Sequence, residues 1–265
     1  MDLWDQPKPP YASWGWTGPN TRDWHLAAQN TGNSILAKNP QWLIFIAGLG
    51  TNGWMGSDLG YVAYSPVKLS LPNQLVYETH EWSQDVYKQP YFLDPAYPQN
   101  LRGVWKSRWG YLQQNSVNTV FIGAFDTNFA YPVPDHQWLS KFVAYMNGAF
   151  TNDNVSDLAS GQKGMSWTVG SSGIGILEED FLTVRTKLLS YINSSMAPIL
   201  SGPLPSSQPT YTQSWSPSRT QPTYTSTFRP TNVLAGSKYF EKYSTKGNQI
   251  VDESGKAVRM TGVNW

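Results

Sequence analysis

Two apolar runs carry most of the side chains that could transfer protons. The stretch Val120–Thr127 (VFIGAFDT) has Ala124 where a strand would meet solvent, a position at which many barrel enzymes carry an acidic residue. Asp126 would share a strand face with Ala124, displaced along the strand by roughly 6.6 Å. In the run QLVYETH, Glu78 and His80 likewise alternate onto one face, with Glu78 nearer the start of the strand. A carboxylate and an imidazole can act as acid and base, whereas an alanine can do neither.

Cofactor chemistry has little support in the sequence. The chain has no cysteine, which excludes disulfides, thiolate zinc sites and cysteine nucleophiles. No His, Asp and Glu cluster has metal-ligand spacing, and no glycine loop resembles a phosphate cradle. His25 and His136 are predicted to lie on helix surfaces. We therefore expect no metal and no organic cofactor.

The composition narrows the class of partner. Charged residues make up 14% of the chain and the formal net charge is +1. The charge therefore does not favour nucleic acid or an anionic membrane as the binding partner. The chain also contains 13 Trp and 15 Tyr, more than a core needs. Exposed flat rings stack on apolar faces such as those of sugars. The alternative is that most of these rings fill the core or an interface.

Apolar runs and helical patterns alternate along the first 200 residues, which favours parallel βα units. Only four or five units are present, whereas a closed eight-stranded barrel typically takes ~250 residues. Strands are predicted at 42–47, 74–80, 120–124 and 164–169, and helices at 23–38, 101–115, 135–148 and 178–199.

The composition changes abruptly at residue 201. Residues 201–237 are rich in Pro, Ser, Thr and Tyr, and QPTYT occurs at both 208–212 and 221–225. Such a segment buries too little apolar surface to offset its ordering entropy, so we expect a disordered linker. Residues 238–265 then contain two strand-like runs around the turn DESGK and end at VNW, in a strand pattern.

The N-terminal sequence MDLWDQPKPP has neither a basic nor an apolar region of the kind found in signal peptides. No apolar run approaches the length needed to span a membrane. Two glycosylation sequons begin at Asn154 and Asn193, which matter only in a secreted protein. This chain is therefore expected to lack a signal peptide. Either the protein is cytosolic or its true start is missing, and in the second case we expect the longer parent protein to be extracellular.

Several long stretches together resemble glycoside hydrolase family 5, the cellulase family. They are RDWHLAAQNTGNSILAKNPQWLIFIAG, VYKQPYFLDPAYPQNLRGVWKSRWGYL and GNQIVDESGKAVRMTGVNW. The resemblance implies an α/β fold of the (β/α)8 TIM-barrel type. Residues 1–200 look like the C-terminal portion, from the end of strand four to helix eight. Residues 238–265 look like the N-terminal hairpin and first strand of a second, truncated domain, and strands two and three have no counterpart. A circular permutation is the alternative.

The resemblance also implies which residues occupy the catalytic positions. The acid/base of the family lies in an Asn-Glu-Pro motif, matched here by Asp5, Gln6 and Pro7. The nucleophile lies in Gly-Glu-Phe-Gly, matched by GAFD, with Ala124 in place of the glutamate. Glutamine has no titratable proton and alanine cannot form a glycosyl ester. Both catalytic carboxylates are therefore expected to be lost.

Part of the surrounding substrate site is expected to remain. By resemblance, His80 matches the active-site histidine of strand six, and Trp82 stands where the family usually has a tyrosine. Trp167 matches the strand-eight tryptophan on which the sugar stacks, and Asp5 adjoins Gln6. The expected partner is a β-glucan or cello-oligosaccharide. Each of these residues also has an ordinary structural interpretation, as a satisfied core side chain.

Three interpretations of function follow. The chain is a cellulase-family protein of polysaccharide catabolism that is inactive, a sugar-binding pseudoenzyme, or a truncated product without a stable fold. The last is favoured by the missing strands, which would leave two exposed sheet edges.

Overall fold

The structure of the protein is a computed structural model. It describes residues 1–3, 6–15, 22–50, 57–115, 118–128, 133–150, 157–158, 164–170, 175–178, 180, 182–195 and 242–264. Asp5, the predicted linker and the sequon at Asn154 lie outside these residues.

The described chain alternates strands and helices as the sequence predicts. The strands are β1 (Ile44–Ala47), β2 (Leu75–Trp82), β3 (Thr119–Asp126), β4 (Ser166–Gly170), β5 (Ser244–Lys246), β6 (Gln249–Val251), β7 (Ala257–Val258) and β8 (Thr261–Asn264). The helices are α1 (Trp24–Leu36), α2 (Leu101–Trp105), α3 (Tyr111–Gln114), α4 (Val133–Met146) and α5 (Thr186–Ser195). A π-helical turn, Lys106–Gly110, joins α2 to α3.

The main sheet is parallel throughout and has the order β1-β2-β3-β4-β8. At its β1 edge the N-terminal residues add a short parallel bridge, because Phe45 N–H donates to the Met1 carbonyl at 2.9 Å and Asp2 pairs with Phe45. Parallel strands connected through helices are the barrel's building unit. The predicted partial (β/α)8 barrel is therefore confirmed.

The last predicted helix is shorter than the sequence pattern suggested. The pattern covers residues 178–199, but α5 begins at Thr186. The preceding residues form a turn in which the Asp180 carboxylate accepts hydrogen bonds from the backbone of Leu182 and Thr183, at 2.8 and 2.7 Å. Such side-chain acceptors compete with helix formation. The apolar spacing of this turn resembles a helix without forming one.

The C-terminal residues belong to the same compact unit as the N-terminal ones. That unit comprises Met1–Ile199 and Lys242–Trp265. Strand β8 pairs in parallel with β4, with Val263 opposite Val169, and β5, β6 and β7 form a separate antiparallel sheet. The descent of this segment from a second, truncated domain stays a prediction, but in this structure it extends the main sheet.

Two apolar cores lie on opposite faces of the sheet. The larger core packs strand residues such as Ile122 against helix residues such as Trp105 and Phe142. The smaller core contains Val76 and Ile250. Because both faces are covered, the strands are nearly continuous apolar runs, as expected of a parallel sheet. Within the described ranges no helix combines the length and apolarity that crossing a membrane requires.

Candidate functional site

The pairing between β2 and β3 shifts by one residue at the site. Thr79 pairs with Ile122, and the next residue, His80, pairs with Ala124, so Gly123 is an extra residue on β3. The Glu78 side chain fills the space above this glycine, and a Cβ at Gly123 would overlap its carboxylate. Glycine in a strand often marks such a bulge or close approach. The bulge brings Ala124 level with His80.

A chain of hydrogen bonds connects Gln6, His80 and Glu78. Gln6 Nε2 lies 3.2 Å from His80 Nδ1, and His80 Nε2 lies 3.1 Å from Glu78 Oε1. An amide nitrogen only donates, so Nδ1 accepts, and the imidazole proton on Nε2 is donated to the carboxylate. His80 is 2% exposed and Glu78 is 6% exposed. The imidazole is therefore fixed in one tautomer, with a polar partner on each side.

Gln6 reaches His80 from a strained backbone. Its φ of 51° lies in the left-handed region, which costs a non-glycine residue roughly 1–2 kcal/mol. The neighbouring Pro7 carbonyl accepts a hydrogen bond of 2.7 Å from Gly50 N–H, which ties this loop to the end of β1. The surrounding structure thus holds the Gln6 amide over the imidazole.

The structure brings together four of the sequence-predicted site residues at this point: Gln6, His80, Ala124 and Trp82. Gln6 contacts His80 through its amide, and Ala124 is the pairing partner of His80 on the neighbouring strand. Trp82 lies above them, with its ring centroid 6.2 Å from that of His80 in an edge-to-face arrangement. Trp82 is 6% exposed, and its indole N–H makes no hydrogen bond to the described residues.

Trp167 lies elsewhere. It pairs with Ile122 on β3, and its ring contacts Phe125 at a centroid distance of 5.7 Å. Phe125 in turn packs on Phe142 of α4 at 5.4 Å. Trp167 therefore belongs to the core between the sheet and the helices. Its role as a stacking platform for the sugar stays a prediction.

Asp126 forms a buried ion pair with Arg185. Its Oδ1 lies 3.5 Å from Arg185 Nη1 and accepts a hydrogen bond of 2.7 Å from Thr127 N–H. Burial raises the pKa of Asp126 to about 6, while the Thr127 hydrogen bond and Arg185 act in the opposite direction. Arg185 also donates to the carbonyls of Thr127 and Gly175, each at 2.7 Å. This carboxylate joins the end of β3 to the start of α5.

Glu81 is a second buried carboxylate, on the opposite face of β2 from His80. Its two oxygens accept hydrogen bonds from the indoles of Trp105, at 3.1 Å, and Trp109, at 2.7 Å. Burial raises the pKa of Glu81 to about 7, and the two indole donors act to lower it. Glu81 therefore connects β2 to the π-helical turn. Sequence reasoning missed this role.

Asp135, near the start of α4, organises the loops that follow β2 and β3. Its carboxylate accepts hydrogen bonds from the hydroxyls of Ser83, at 2.6 Å, and Thr127, at 3.1 Å. It also accepts from the backbone of Asn128, at 2.6 Å, and of Asp85, at 3.2 Å. Sequence reasoning did not predict this role of Asp135, although an acidic residue in the first turn of a helix is a recognised sequence signal of a helix N-terminus.

Glu78 was predicted to lie deeper than His80, and the two side chains in fact contact each other. The signal in the sequence was the Gly-Ala pair within an apolar strand, which indicates a bulge with space for a neighbour's side chain.

Among the described residues, no group of three or more His, Asp or Glu side chains could hold a metal ion.

Comparisons with known proteins agree with this architecture. A family model described as cellulase (glycosyl hydrolase family 5) matches residues 4–163. An endoglucanase from Paenibacillus polymyxa is 35% identical over 198 residues, covering 72% of this chain and 48% of the relative. The major extracellular endoglucanase of Xanthomonas campestris is 28% identical over 204 residues, covering 73% of this chain and 40% of the relative. This chain spans about half the length of these relatives or less.

Solved structures give the same result. One is an endocellulase from Pyrococcus horikoshii with one glutamate replaced by alanine, in complex with cellotetraose. It is 30% identical with a TM-score of 0.54, and the match covers 72% of this chain and 56% of that one. The catalytic domain of the Xanthomonas campestris enzyme is 26% identical with a TM-score of 0.56, covering 74% and 56%. From the parallel sheet, the matched residues and these relatives, the chain belongs to the cellulase family, glycosyl hydrolase family 5.

Proposed function

We propose that this chain does not cleave glycosidic bonds, although it belongs to a family of glycoside hydrolases. The observation that carries this proposal is the pair of side chains beside His80: an amide, Gln6, on one side, and a methyl group, Ala124, on the neighbouring strand. By resemblance these are the positions of the acid/base and the nucleophile.

The chemistry explains why both losses matter. Retaining glycosidases use two carboxyl groups about 5–5.5 Å apart, one to protonate the leaving oxygen and one to attack the anomeric carbon. The Gln6 amide does not titrate near neutral pH, so it cannot protonate the leaving oxygen. Ala124 has no lone pair with which to form the glycosyl–enzyme bond. General acid catalysis alone contributes about 10²–10⁴-fold. Loss of the nucleophile removes the covalent route itself.

Among the described carboxylates, neither Glu78 nor Asp126 is placed to substitute. Glu78 is packed over Gly123 and accepts a hydrogen bond from His80 Nε2–H. Asp126 is held by its ion pair with Arg185 and by the hydrogen bond from Thr127 N–H. Moving a reacting group by about 1 Å can cost about 100-fold in rate. A carboxylate that must leave such partners before reacting is a poor nucleophile or acid.

Hydrolysis is tested directly with the purified chain. We expect no release of reducing ends from cellotetraose or a soluble β-glucan above that of a preparation of the Glu78→Gln variant made in parallel. Such a variant keeps the side-chain shape and removes the carboxylate. Turnover that is present in the wild-type chain and absent in Glu78→Gln or Asp126→Asn would contradict the proposal and identify the substitute carboxylate.

A second candidate function, cello-oligosaccharide binding, is supported by two observations. The Pyrococcus horikoshii relative was solved with cellotetraose although one of its glutamates is replaced by alanine, so loss of a carboxylate is compatible with binding in that protein. In this chain, Trp82 lies over His80 with a buried indole N–H that makes no hydrogen bond to the described residues. A sugar hydroxyl would satisfy such a donor.

Binding is tested by titrating the chain with cellotetraose and following heat and tryptophan fluorescence. We expect saturable binding that is weakened at least tenfold by Trp82→Phe, which keeps an aromatic ring and removes the indole donor. Trp42→Phe is the matched control, because Trp42 is 44% exposed and lies before β1, at the opposite end of the strands. Equal effects of the two substitutions, or no saturable binding, would contradict this function.

The third interpretation, an unstable truncated product, predicts a different result in both assays. A chain without a stable fold would aggregate or melt over a broad temperature range without cooperativity.

We also propose an extracellular location for a longer parent protein, supported by the name of the Xanthomonas campestris relative as an extracellular endoglucanase. Attachment of glycan at Asn154 in a secreting host would test this location.

A further inference from the structure

The residues from 242 to 264, here called the C-terminal segment, dock on a surface built by the rest of the compact unit. The segment includes the β5–β6–β7 sheet and β8. The acceptor surface consists of the backbone of β4 together with Asn73, Gln113, Thr119 and Asn147, which contact the segment through hydrogen bonds.

The most specific contact is a reciprocal pair of hydrogen bonds between Gln113 and Asn248. Gln113 Nε2 donates to the Asn248 carbonyl at 3.0 Å, and Asn248 Nδ2 donates to the Gln113 carbonyl at 2.7 Å. Gln113 is 1% exposed and Asn248 is 7% exposed. The Gln113 carbonyl side-chain oxygen also accepts from Val120 N–H at 3.0 Å, so this amide is fixed from the main sheet. Each side chain thus donates to the backbone carbonyl of the other residue. Both hydrogen bonds can form only in one alignment of the C-terminal segment on the acceptor surface.

A second contact is made by Arg259. It donates through Nη2 to Asn147 Oδ1 at 3.1 Å and through Nε to the Met165 carbonyl. Gly164 has a φ of 122°, and a Cβ added there would lie 2.6 Å from Arg259 Nη1. The acceptor surface therefore has a glycine at a position where a side chain would obstruct the guanidinium.

The rest of the contact resembles the inside of a folded domain. Ile250 packs with Val76 and Leu43 in the smaller core, and four residues of β8 pair in parallel with β4. Thr245 N–H donates to the Asn73 carbonyl at 2.7 Å. Strand pairing, an apolar contact and buried polar pairs together make a specific interface rather than an incidental contact.

We propose that this acceptor surface also binds the C-terminal segment of a second copy of the chain, so that two copies can exchange their segments. Residues 200–241 lie between the donor and the acceptor in sequence, and a stretch of this length can extend on the order of 100 Å. The contacts themselves do not depend on which copy supplies the segment. Within one chain the effective concentration is on the order of millimolar, so exchange is expected in concentrated solution or after the connection is cut.

The first experiment uses the full chain with a specific protease site inserted between residues 201 and 237. After cleavage we expect the C-terminal fragment to co-elute with the larger one in size-exclusion chromatography. A fluorescent peptide of residues 242–265 is then expected to enter the complex and to be displaced by excess unlabelled peptide. Separation of the fragments, aggregation of the larger one, or no uptake of labelled peptide would overturn the proposal.

Matched peptides test whether the contacts described above are responsible. The Asn248→Ala peptide loses one side of the reciprocal pair and leaves a buried carbonyl on Gln113 without that donor, so it should bind about 10–100-fold more weakly. The Lys256→Ala peptide changes an exposed side chain in the turn between β6 and β7, and should bind as the wild-type peptide does. Equal affinities of the two variant peptides would overturn the assignment.

Exchange between intact copies is tested with two uncut, differently tagged chains. After they are mixed at high concentration and diluted, we expect pull-down of one tag to retain the other. Because the same contacts hold the segment in the single chain and in the exchanged pair, Asn248→Ala in both chains should speed the exchange without changing the final retained fraction, whereas Lys256→Ala should change neither. Two wild-type chains that never co-purify would show that the segment stays with its own chain and would overturn the proposal.

Discussion

Replacing Glu81 with alanine is expected to lower the free energy of unfolding by about 2–6 kcal/mol. The carboxylate is the acceptor for two indole N–H groups, those of Trp105 and Trp109, and both tryptophans are fully buried. A buried donor left without its acceptor costs about 1–3 kcal/mol. The substitution also separates β2 from the π-helical turn. Urea denaturation followed by tryptophan fluorescence at pH 7 measures the loss.

Glu81→Gln is the matched control for this prediction. It keeps the side-chain volume and one acceptor oxygen, so one indole stays satisfied and the loss should be smaller than with alanine. An alanine variant as stable as the wild-type chain, or a glutamine variant that is the less stable of the two, would contradict the assigned role of Glu81.

The raised pKa of Glu81 adds a dependence on pH. Because this pKa is about 7 in the folded chain, the folded protein holds a proton that the unfolded chain releases near its ordinary value, about 4.3. The stability from this proton is fully present below about pH 4.3 and is lost as the pH rises through 7. Between pH 5 and pH 8 the wild-type chain should therefore lose stability relative to Glu81→Gln.

Replacing Arg185 with alanine is expected to cost about 3–5 kcal/mol at pH 8. Arg185 is the cation beside Asp126 and also donates to two backbone carbonyls. Removing one partner of a buried ion pair leaves the other charge uncompensated, which is worth about that amount. Chemical denaturation at pH 8 checks this expectation. Lys187→Ala, which changes an exposed cation two residues later in the first turn of α5, should have little effect.

The loss caused by Arg185→Ala should itself depend on pH. The pKa of Asp126 is already raised to about 6 by burial, and without the guanidinium it rises further. Protonated Asp126 no longer needs a cation, so the deficit relative to the wild-type chain should be smaller at pH 5 than at pH 8. A deficit that grows on acidification would contradict the ion-pair interpretation.

The strands were predictable from sequence because a strand buried on both faces is a short apolar run, and the observed β1 and β2 lie within or close to the predicted ranges. The same property explains why the orientation of Trp167 could not be predicted from the sequence. When both faces are apolar, alternation does not show which side chains point toward the helices. The resemblance supplied the position, but the orientation depends on pairing with Ile122 and packing on Phe125.

The site was only partly predictable for a similar reason. That positions 6 and 124 carry no carboxylate follows from their residue types, whereas their assignment to the catalytic positions rests on the resemblance. The contact of Gln6 with His80 joins residues 74 positions apart in sequence, and no local pattern encodes that distance. The shift at Gly123 is visible in sequence only as a glycine within an apolar run, whereas its consequence, the position of Glu78, requires three dimensions.

The carboxylate that fills the space over Gly123 also bears on how this gene could evolve. Glutamates restored at positions 6 and 124 would place two new negative charges around an imidazole already paired with Glu78. Like charges so close together resist simultaneous ionisation. On the proposed assignment of positions 6 and 124, glutamates at both would therefore support hydrolysis only together with a third change, at Glu78, so changing the two positions alone would not suffice.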